Sequence, residues 1–118
     1  MKGDDIAERL LKLATNIIAI CSKVPKSMAA TIVVRQLLRC GTSGGANYEE
    51  ARSAESRQDF AHKALVAAKE TSETNYWLKV LRSSGLSSSP LLEPSIRESR
   101  ELTAILKASA ATAKRNAS

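Results

Sequence analysis

The side chains of this sequence that could perform chemistry are few. It contains one histidine, His62, and two cysteines, Cys21 and Cys40. Asp59 and His62 stand three residues apart, which is half of the carboxylate-x-x-His pattern with which helical bundles hold two metal ions. The other half requires a second histidine, which the sequence lacks. We therefore expect neither a metal site nor a cofactor.

Nucleophilic catalysis and phosphate binding have no recognisable motif. The spacing of Cys21 and Cys40 does not suggest zinc, and each falls on an apolar helical stripe, so we interpret both as small buried thiols rather than as a disulfide. The glycine-rich segment 41–45 lacks the lysine and the preceding strand of a phosphate-binding loop. The sequence thus predicts a protein that is not an enzyme, with no catalytic residues.

The charge balance points to binding instead. Lysine and arginine number 18 against 12 aspartate and glutamate, which gives a net charge of +6 and a pI of about 9.6. A positive surplus attracts polyanions, nucleic acid above all, although these bases are spread along the chain. The residues that we predict to contact phosphates are Arg35, Arg39, Arg52 and Arg57, followed by Lys63, Lys79 and Arg82.

Two further groups of residues admit alternative interpretations. Asn47 falls on an apolar stripe, where an amide must find partners or carry a desolvation cost of a few kcal/mol. Either Arg35, Asn47 and Glu50 form a polar network between helices or subunits, or this region is a solvated, salt-bridged helix end. Trp77 is either part of a base-stacking surface or, as we favour, packed at a subunit interface.

Four helices must position these residues. The first is predicted over 4–23, where Asp4 and Asp5 cap its start and Pro25 ends it. Its apolar residues recur at spacings of 4-3-4-3-4, which is a heptad-like seam. These residues are Ile6, Leu10, Leu13, Ile17, Ile20 and Val24.

The second helix presents a conflict between propensity and pattern. It begins near Ser27, and an apolar 4-3-4-3-4 spacing runs on through segment 41–45. Interior glycines cost about 1 kcal/mol each relative to alanine, so a break near 41–45 is the alternative. We favour one continuous helix over 27–52, because glycine on a helix face lets a neighbouring backbone approach.

The third and fourth helices complete the pattern. The third is predicted over 56–84, with Ser56 as its N-cap and Gly85 as its stop. The fourth is predicted over 92–113, before a small, basic tail. Four helices with short connections predict an all-α, antiparallel up-and-down four-helix bundle, a single domain over 1–118.

The sequence also bears on where the protein acts. No stretch approaches the roughly 20 apolar residues that span a bilayer. The N-terminus turns acidic at Asp4 and Asp5 and does not resemble a signal peptide. We therefore expect a cytoplasmic protein without a membrane partner.

From Val33 to Leu86, the chain resembles the four-helix-bundle proteins that are encoded in intervening sequences of bacterial large-subunit ribosomal RNA genes. That family reads Gln-Leu-Arg-Arg, a small-residue stretch, Asn-Ile-Ala-Glu-Gly, and then Arg, Ser, a carboxylate and Phe. The chain has Gln36-Leu37-Leu38-Arg39, the small residues 40–46, Asn47-Tyr48-Glu49-Glu50-Ala51, and a run from Arg52-Ser53 to Asp59-Phe60. It departs from the family pattern at residues 48, 49 and 51.

The resemblance implies that segment 41–45 is helical and that the protein forms a ring-like homo-oligomer, a pentamer. It also implies structural or interfacial roles for the polar residues that match the family pattern, Asn47, Glu50, Ser56 and Asp59. We assign the same kind of role to Phe60 and Trp77. A related bundle is the accessory protein of diversity-generating retroelements, in which a basic ring engages nucleic acid and a reverse transcriptase.

Charge and resemblance together yield a functional hypothesis. We expect a non-enzymatic homo-oligomer that binds nucleic acid, RNA rather than DNA, through phosphate contacts. The alternative is a protein-interaction scaffold that holds another polypeptide and has no direct role with nucleic acid.

Overall fold

Four long helices account for most of the chain. In the computed structural model, which describes residues 2–117, they are α1 (Asp4–Ser22), α2 (Met28–Arg52), α3 (Arg57–Ser84) and α4 (Leu92–Arg115). No strand occurs within that range. The predicted all-α four-helix fold is confirmed, and every predicted boundary lies within two residues of the observed one.

The helices form an antiparallel up-and-down bundle. Each helix packs against two neighbours, since α1 and α3 both contact α2 and α4. The diagonal pairs, α1 with α3 and α2 with α4, stay further apart. Contacts between α3 and α4 run in opposite directions along the two helices, from Thr71 with Thr103 to Arg82 with Glu93. The result is a rod of about 50 × 23 × 19 Å.

Leucine, isoleucine and alanine fill the core. Leu10, Ile17, Leu37, Leu78 and Leu102 are at most 2% exposed. Alanines dominate the buried side of α3, where their small side chains allow neighbouring helices to approach closely. The core thus forms with hardly any aromatic side chains.

Three of the predicted helix ends are confirmed, two by side-chain hydrogen bonds and one by its backbone conformation. The Ser27 hydroxyl accepts a hydrogen bond from the backbone N–H of Ala30, and the Ser56 hydroxyl accepts one from that of Asp59. Gly85 ends α3 at φ 73°, a conformation that suits glycine. The prediction that Asp4 caps α1 is wrong. Gly3 is the N-cap, no side chain caps the helix, and Asp4 pairs with an arginine instead.

The glycines of α2 lie inside a continuous helix, as predicted. Gly41 faces Ile17 of α1, and Gly45 faces Leu10 one turn further on, while Gly44 contacts Thr71 of α3. Because these positions have no side chains, α1 and α3 can approach α2 closely. Packing therefore outweighs the weak helix propensity of the segment.

Hydroxyl groups line the contact between α3 and α4. The hydroxyls of Thr71 and Thr103 lie 2.7 Å apart, and the Asn75 amide donates to the Ile96 carbonyl at 2.9 Å and to the Ser99 hydroxyl at 3.1 Å. The Ser95 hydroxyl of α4 is also buried but has no hydrogen-bond partner within residues 2–117. This polar seam fixes the register of the two helices.

Both cysteines are buried free thiols, as predicted. Burial, together with the nearby Cys40, raises the pKa of Cys21 to about 11. Among the described residues, no helix is long and apolar enough to cross a membrane, and no cluster of His, Cys, Asp or Glu could hold a metal ion.

Candidate nucleic-acid interface

Arg39, one of the bases predicted to contact phosphate, is held by two carboxylates of the neighbouring helix. Its guanidinium donates to Glu70 Oε2 at 3.2 Å and also to Glu73. Glu70 accepts a further hydrogen bond from Ser43 at 2.7 Å, and Glu73 accepts one from the Trp77 indole at 3.1 Å. Arg39 is thus part of a network that joins α2 to α3.

Three more of the predicted bases are compensated in the same way. Arg52 pairs with Asp4 of α1 and, at 3.1 Å, with Glu49 of its own helix. Arg82 binds Glu93 at 3.3 Å, and Lys63 binds Asp59 at 3.6 Å. A phosphate would have to compete with these carboxylates. Their role in binding stays a prediction.

The remaining predicted bases are not engaged by carboxylates of residues 2–117. Arg35 and Lys79 are exposed and form no ion pair within residues 2–117. Arg57 is exposed and donates to the backbone carbonyl of Asn116 at 2.8 Å, which ties the start of α3 to the end of α4. No carboxylate among the described residues offsets the positive charge of these three side chains.

The predicted network of Arg35, Asn47 and Glu50 does not form within one chain. The Asn47 amide donates to the Ser43 carbonyl of its own helix at 2.8 Å, while Arg35 and Glu50 are exposed. They lie fifteen residues apart on α2, which is about 22 Å along the helix axis. A network between subunits stays a prediction.

The aromatic residues have distinct environments. Phe60 is half-buried and packs edge-to-face on Tyr48 at 6.4 Å between ring centroids. Trp77 is also half-buried, whereas Tyr76, at 59% exposure, presents its ring to solvent. Any stacking surface on α3 would therefore use Tyr76 rather than Trp77.

Within residues 2–117, the largest group of uncompensated bases lies on α4, which holds none of the predicted phosphate-contacting residues. Positions 97, 100, 104, 107, 111 and 114 follow a 3-4-3-4-3 spacing and are all exposed, so they form one stripe along the helix. Arg97, Arg100, Lys107 and Lys114 occupy four of these positions. The spacing alone could have revealed this stripe.

The acidic residues of α4 do not offset these bases, because each is engaged by an arginine of another helix. Arg9 of α1 binds Glu98 at 2.7 Å and Glu101 at 2.9 Å. Glu93 binds Arg82 of α3. This cross-helix pairing cannot be read from the sequence, since it depends on which residues of neighbouring helices meet.

Lys79 of α3 extends the stripe of α4. The two helices are antiparallel, and Asn75 contacts Ile96 while Arg82 contacts Glu93, which places Lys79 beside the start of α4. None of the five bases forms an ion pair within residues 2–117. We call them the basic face, which consists of Lys79, Arg97, Arg100, Lys107 and Lys114.

Two partly buried carboxylates show how strongly their partners hold them. Hydrogen bonds from the Trp77 indole and then from Arg39 lower the pKa of Glu73 below its usual 4.5. The Arg9 guanidinium likewise lowers the pKa of Glu98. The positive charges of Arg39 and Arg9 offset these two carboxylates and so reduce their repulsion of an approaching phosphate.

The comparisons with known proteins identify the family. The model of the 23S rRNA-intervening sequence protein family matches residues 4–108, and the chain belongs to that family. The resemblance found in the sequence is thereby confirmed. A comparison with curated proteins gives no match.

A solved structure shows the same fold. It is a protein with unknown function from the S23 ribosomal protein family of Bacteroides thetaiotaomicron, 33% identical to this chain. The match covers 86% of this chain and 94% of that one, with a TM-score of 0.77. Family membership fixes the architecture, while the biochemical role must be argued from surfaces of the bundle.

Proposed function

We propose that this protein is a non-enzymatic, homo-oligomeric bundle that binds nucleic acid, RNA in preference to DNA, through phosphate contacts made by the basic face. The observation that carries the proposal is the compensation pattern of α4. All three of its carboxylates are held by arginines of other helices, while Arg97, Arg100, Lys107 and Lys114 have no acidic partner within residues 2–117.

The spacing of these bases suits a phosphate backbone. From Arg97 to Lys114 the stripe extends for about 25 Å along α4, and each side chain is long enough to move onto a phosphate. Because contacts to phosphates carry no sequence information, we expect the binding to be electrostatic and independent of base sequence. Five phosphate contacts on a single strand predict that the logarithm of the binding constant falls with the logarithm of the salt concentration, with a slope of about −3.5.

Oligomerisation would amplify this attraction. The pentamer that the sequence resemblance implies would carry about +30, since one chain has a net charge of +6. Its mass would be about 60 kDa for five chains of 12.7 kDa. Such a ring would bind polyanions far more tightly at low salt than a monomer does.

The test is binding of a short structured RNA over a series of salt concentrations. Arg100→Gln combined with Lys107→Gln removes two uncompensated bases, and should lower affinity by about tenfold or more and reduce the salt slope by about 1.4. The matched control, Lys63→Gln with Arg82→Gln, removes two bases that already pair with carboxylates and should have a much smaller effect.

Two results would contradict the proposal. One is wild-type protein that shows no salt-dependent binding to RNA or DNA. The other is a control variant that loses as much affinity as the α4 variant, because this would mean that the compensation pattern does not select the binding surface. Parallel titrations with DNA of the same length test the preference for RNA.

A further inference from the structure

One aromatic ring stands on the outer side of α3. Tyr76 is 59% exposed, whereas the other aromatic residues of the chain, Tyr48, Phe60 and Trp77, are buried or half-buried. A tyrosine ring carries a large apolar area and a π-face that a planar ligand can cover. Tyr76 is therefore the aromatic side chain that a ligand can reach from solvent.

The ring of Tyr76 is supported from one side. The Trp77 ring packs against it edge-to-face, with 5.1 Å between the ring centroids and an angle of 76° between the ring planes. The Trp77 indole in turn donates a hydrogen bond to Glu73 at 3.1 Å. Because this contact restricts the ring, a ligand that stacks on it loses little additional conformational entropy.

Tyr76 belongs to an exposed stripe of α3 that contains no carboxylate. Lys69, Ser72, Tyr76, Lys79 and Ser83 follow a 3-4-3-4 spacing and are all exposed. Neither lysine forms an ion pair within residues 2–117. Lys79 lies one turn after Tyr76, about 5–6 Å away between Cβ atoms. A phosphate that approaches the ring along α3 therefore meets a lysine on either side.

The register of α3 and α4 places the ring beside the basic face. Asn75, which precedes Tyr76, donates to the Ser99 hydroxyl at 3.1 Å. Tyr76 is thus level with the part of α4 that carries Arg97 and Arg100. Since the axes of packed helices are about 8–10 Å apart, these long side chains can reach a phosphate next to the ring.

The carboxylates at the same level of the bundle are already engaged. Glu73 of α3 is paired with Arg39 of α2, and Glu98 of α4 is paired with Arg9 of α1 at 2.7 Å. Each of these arginines comes from a helix on the far side of the α3/α4 pair. The surroundings of Tyr76 are therefore dominated by uncompensated positive charge.

We propose that Tyr76 stacks on an unpaired base of the bound RNA, so that the ligand of the basic face is a single strand rather than a duplex. This inference rests on the proposed function, since it names the substrate class of the same surface. Bases inside a duplex are covered by their stacked neighbours, whereas an unpaired base can stack on an aromatic side chain. Every base has a π-face, so stacking keeps the binding independent of sequence.

Charge alone would select the opposite ligand. A duplex has the denser charge, and phosphate contacts by themselves favour it over a single strand. Stacking of one base adds about 5- to 100-fold in affinity, and salt does not screen this contribution as it screens phosphate contacts. The preference of the protein for a single strand should therefore increase as the salt concentration rises.

The first test compares an unstructured single-stranded RNA of about ten nucleotides with a blunt RNA duplex of the same length. Tyr76→Ala should lower the affinity for the single strand by about 5- to 100-fold without changing the salt slope. Its affinity for the duplex should not change. Lys79→Gln should instead reduce the salt slope for the single strand by about 0.7, because it removes one phosphate contact.

Two variants serve as controls for Tyr76→Ala. Tyr76→Phe keeps the ring and should bind both ligands like wild type. Leu65→Ala removes another exposed apolar side chain of α3, 41% exposed, and should also bind like wild type. All these positions are exposed, so the variants should fold, and circular dichroism checks this.

The second test removes the bases from the ligand instead of the ring from the protein. A single-stranded DNA is compared with a strand of the same length that is abasic at every position, which keeps the phosphates. Removal of the bases should lower the affinity of wild type by the same factor as Tyr76→Ala does. Tyr76→Ala should bind the two strands equally, because the two changes remove one interaction.

Several results would overturn the inference. Stacking is excluded if Tyr76→Ala binds the single strand like wild type, if it loses the same affinity for the duplex, or if Tyr76→Phe loses as much as Tyr76→Ala. In each of these cases, salt-dependent binding of wild type leaves the proposed function intact. Wild type that binds neither ligand at low salt would instead contradict the proposed function and the stacking together.

Discussion

Gly41 of α2 lies so close to Ile17 of α1 that a methyl group has no room between them. A Cβ atom on Gly41 would be 2.7 Å from Ile17 Cδ1 and 3.1 Å from its Cγ2. Gly45, one turn further along, is less constrained, because its Cβ would be 3.4 Å from Leu10 Cβ, which is an ordinary contact. The two glycines thus serve different purposes within one helix.

Alanine substitutions should separate these purposes. Gly45→Ala should raise the free energy of unfolding by about 0.5–1 kcal/mol, since alanine favours the helix and fits the space. Gly41→Ala gains the same propensity but must displace fully buried Ile17, and should lower stability by about 1–3 kcal/mol. Urea denaturation measures both. Equal effects at the two positions would show that steric contact with α1 is not the deciding factor.

The unpartnered hydroxyl of Ser95 predicts a stabilising substitution. Ser95→Ala removes a buried polar group that has no hydrogen bond within residues 2–117, and should raise the free energy of unfolding by about 1 kcal/mol. Ser99→Ala is the matched control. It removes a hydroxyl that donates to Ile96 and accepts from Asn75, and should lower stability by a similar amount. Thermal melts followed by circular dichroism would show a higher melting temperature for Ser95→Ala and a lower one for Ser99→Ala. A lower melting temperature for Ser95→Ala would mean that its hydroxyl does have a hydrogen-bond partner.

Acid should weaken the contact between α1 and α4. The pKa of Glu98 in the folded chain is lowered by Arg9, so the unfolded state takes up its proton first as pH falls. The resulting stability is present above pH 4.5 and is lost as pH falls further, through the folded pKa. Glu98→Gln should therefore be less stable than wild type at pH 7, with a difference that shrinks below pH 4.5. If the difference in stability between the variant and wild type stays constant as pH falls, stability does not depend on the ionisation of Glu98.

The cysteines should react slowly in the native protein. With a pKa of about 11 for Cys21, the thiolate fraction at neutral pH is below about one in a thousand. Burial likewise raises the pKa of Cys40. Ellman's reagent should modify both thiols rapidly only in denaturant. Rapid modification of either thiol at neutral pH without denaturant would show that the site opens locally.

Helix positions could be predicted because they follow from local patterns. The apolar spacing, the N-caps Ser27 and Ser56, and the stop at Gly85 are all encoded within a few residues of where they act. The start of α1 was also predicted correctly, but its capping residue was not. Asp4 is a good capping residue by type, but its carboxylate pairs with Arg52, forty-eight residues away.

The candidate interface was harder to predict for the same reason. Arg39 and Arg82 looked like free bases in the sequence, and only the register of α2, α3 and α4 reveals their carboxylate partners. Conversely, Arg100 and Lys107 lie near glutamates in the sequence, yet Arg9 binds two of those glutamates from across the bundle. Net charge is a property of composition, whereas its distribution over a surface depends on tertiary contacts.

The link from Trp77 through Glu73 to Arg39 has a practical consequence. Trp77 is the one tryptophan of the sequence, and its indole N–H is bound to the carboxylate that holds α2 to α3. Its fluorescence emission is therefore an intrinsic reporter of that contact. Separation of α2 from α3 would change the emission, whereas a ligand bound along α4 would leave it largely unaltered. A single emission spectrum therefore distinguishes loss of structure from binding of a ligand to α4.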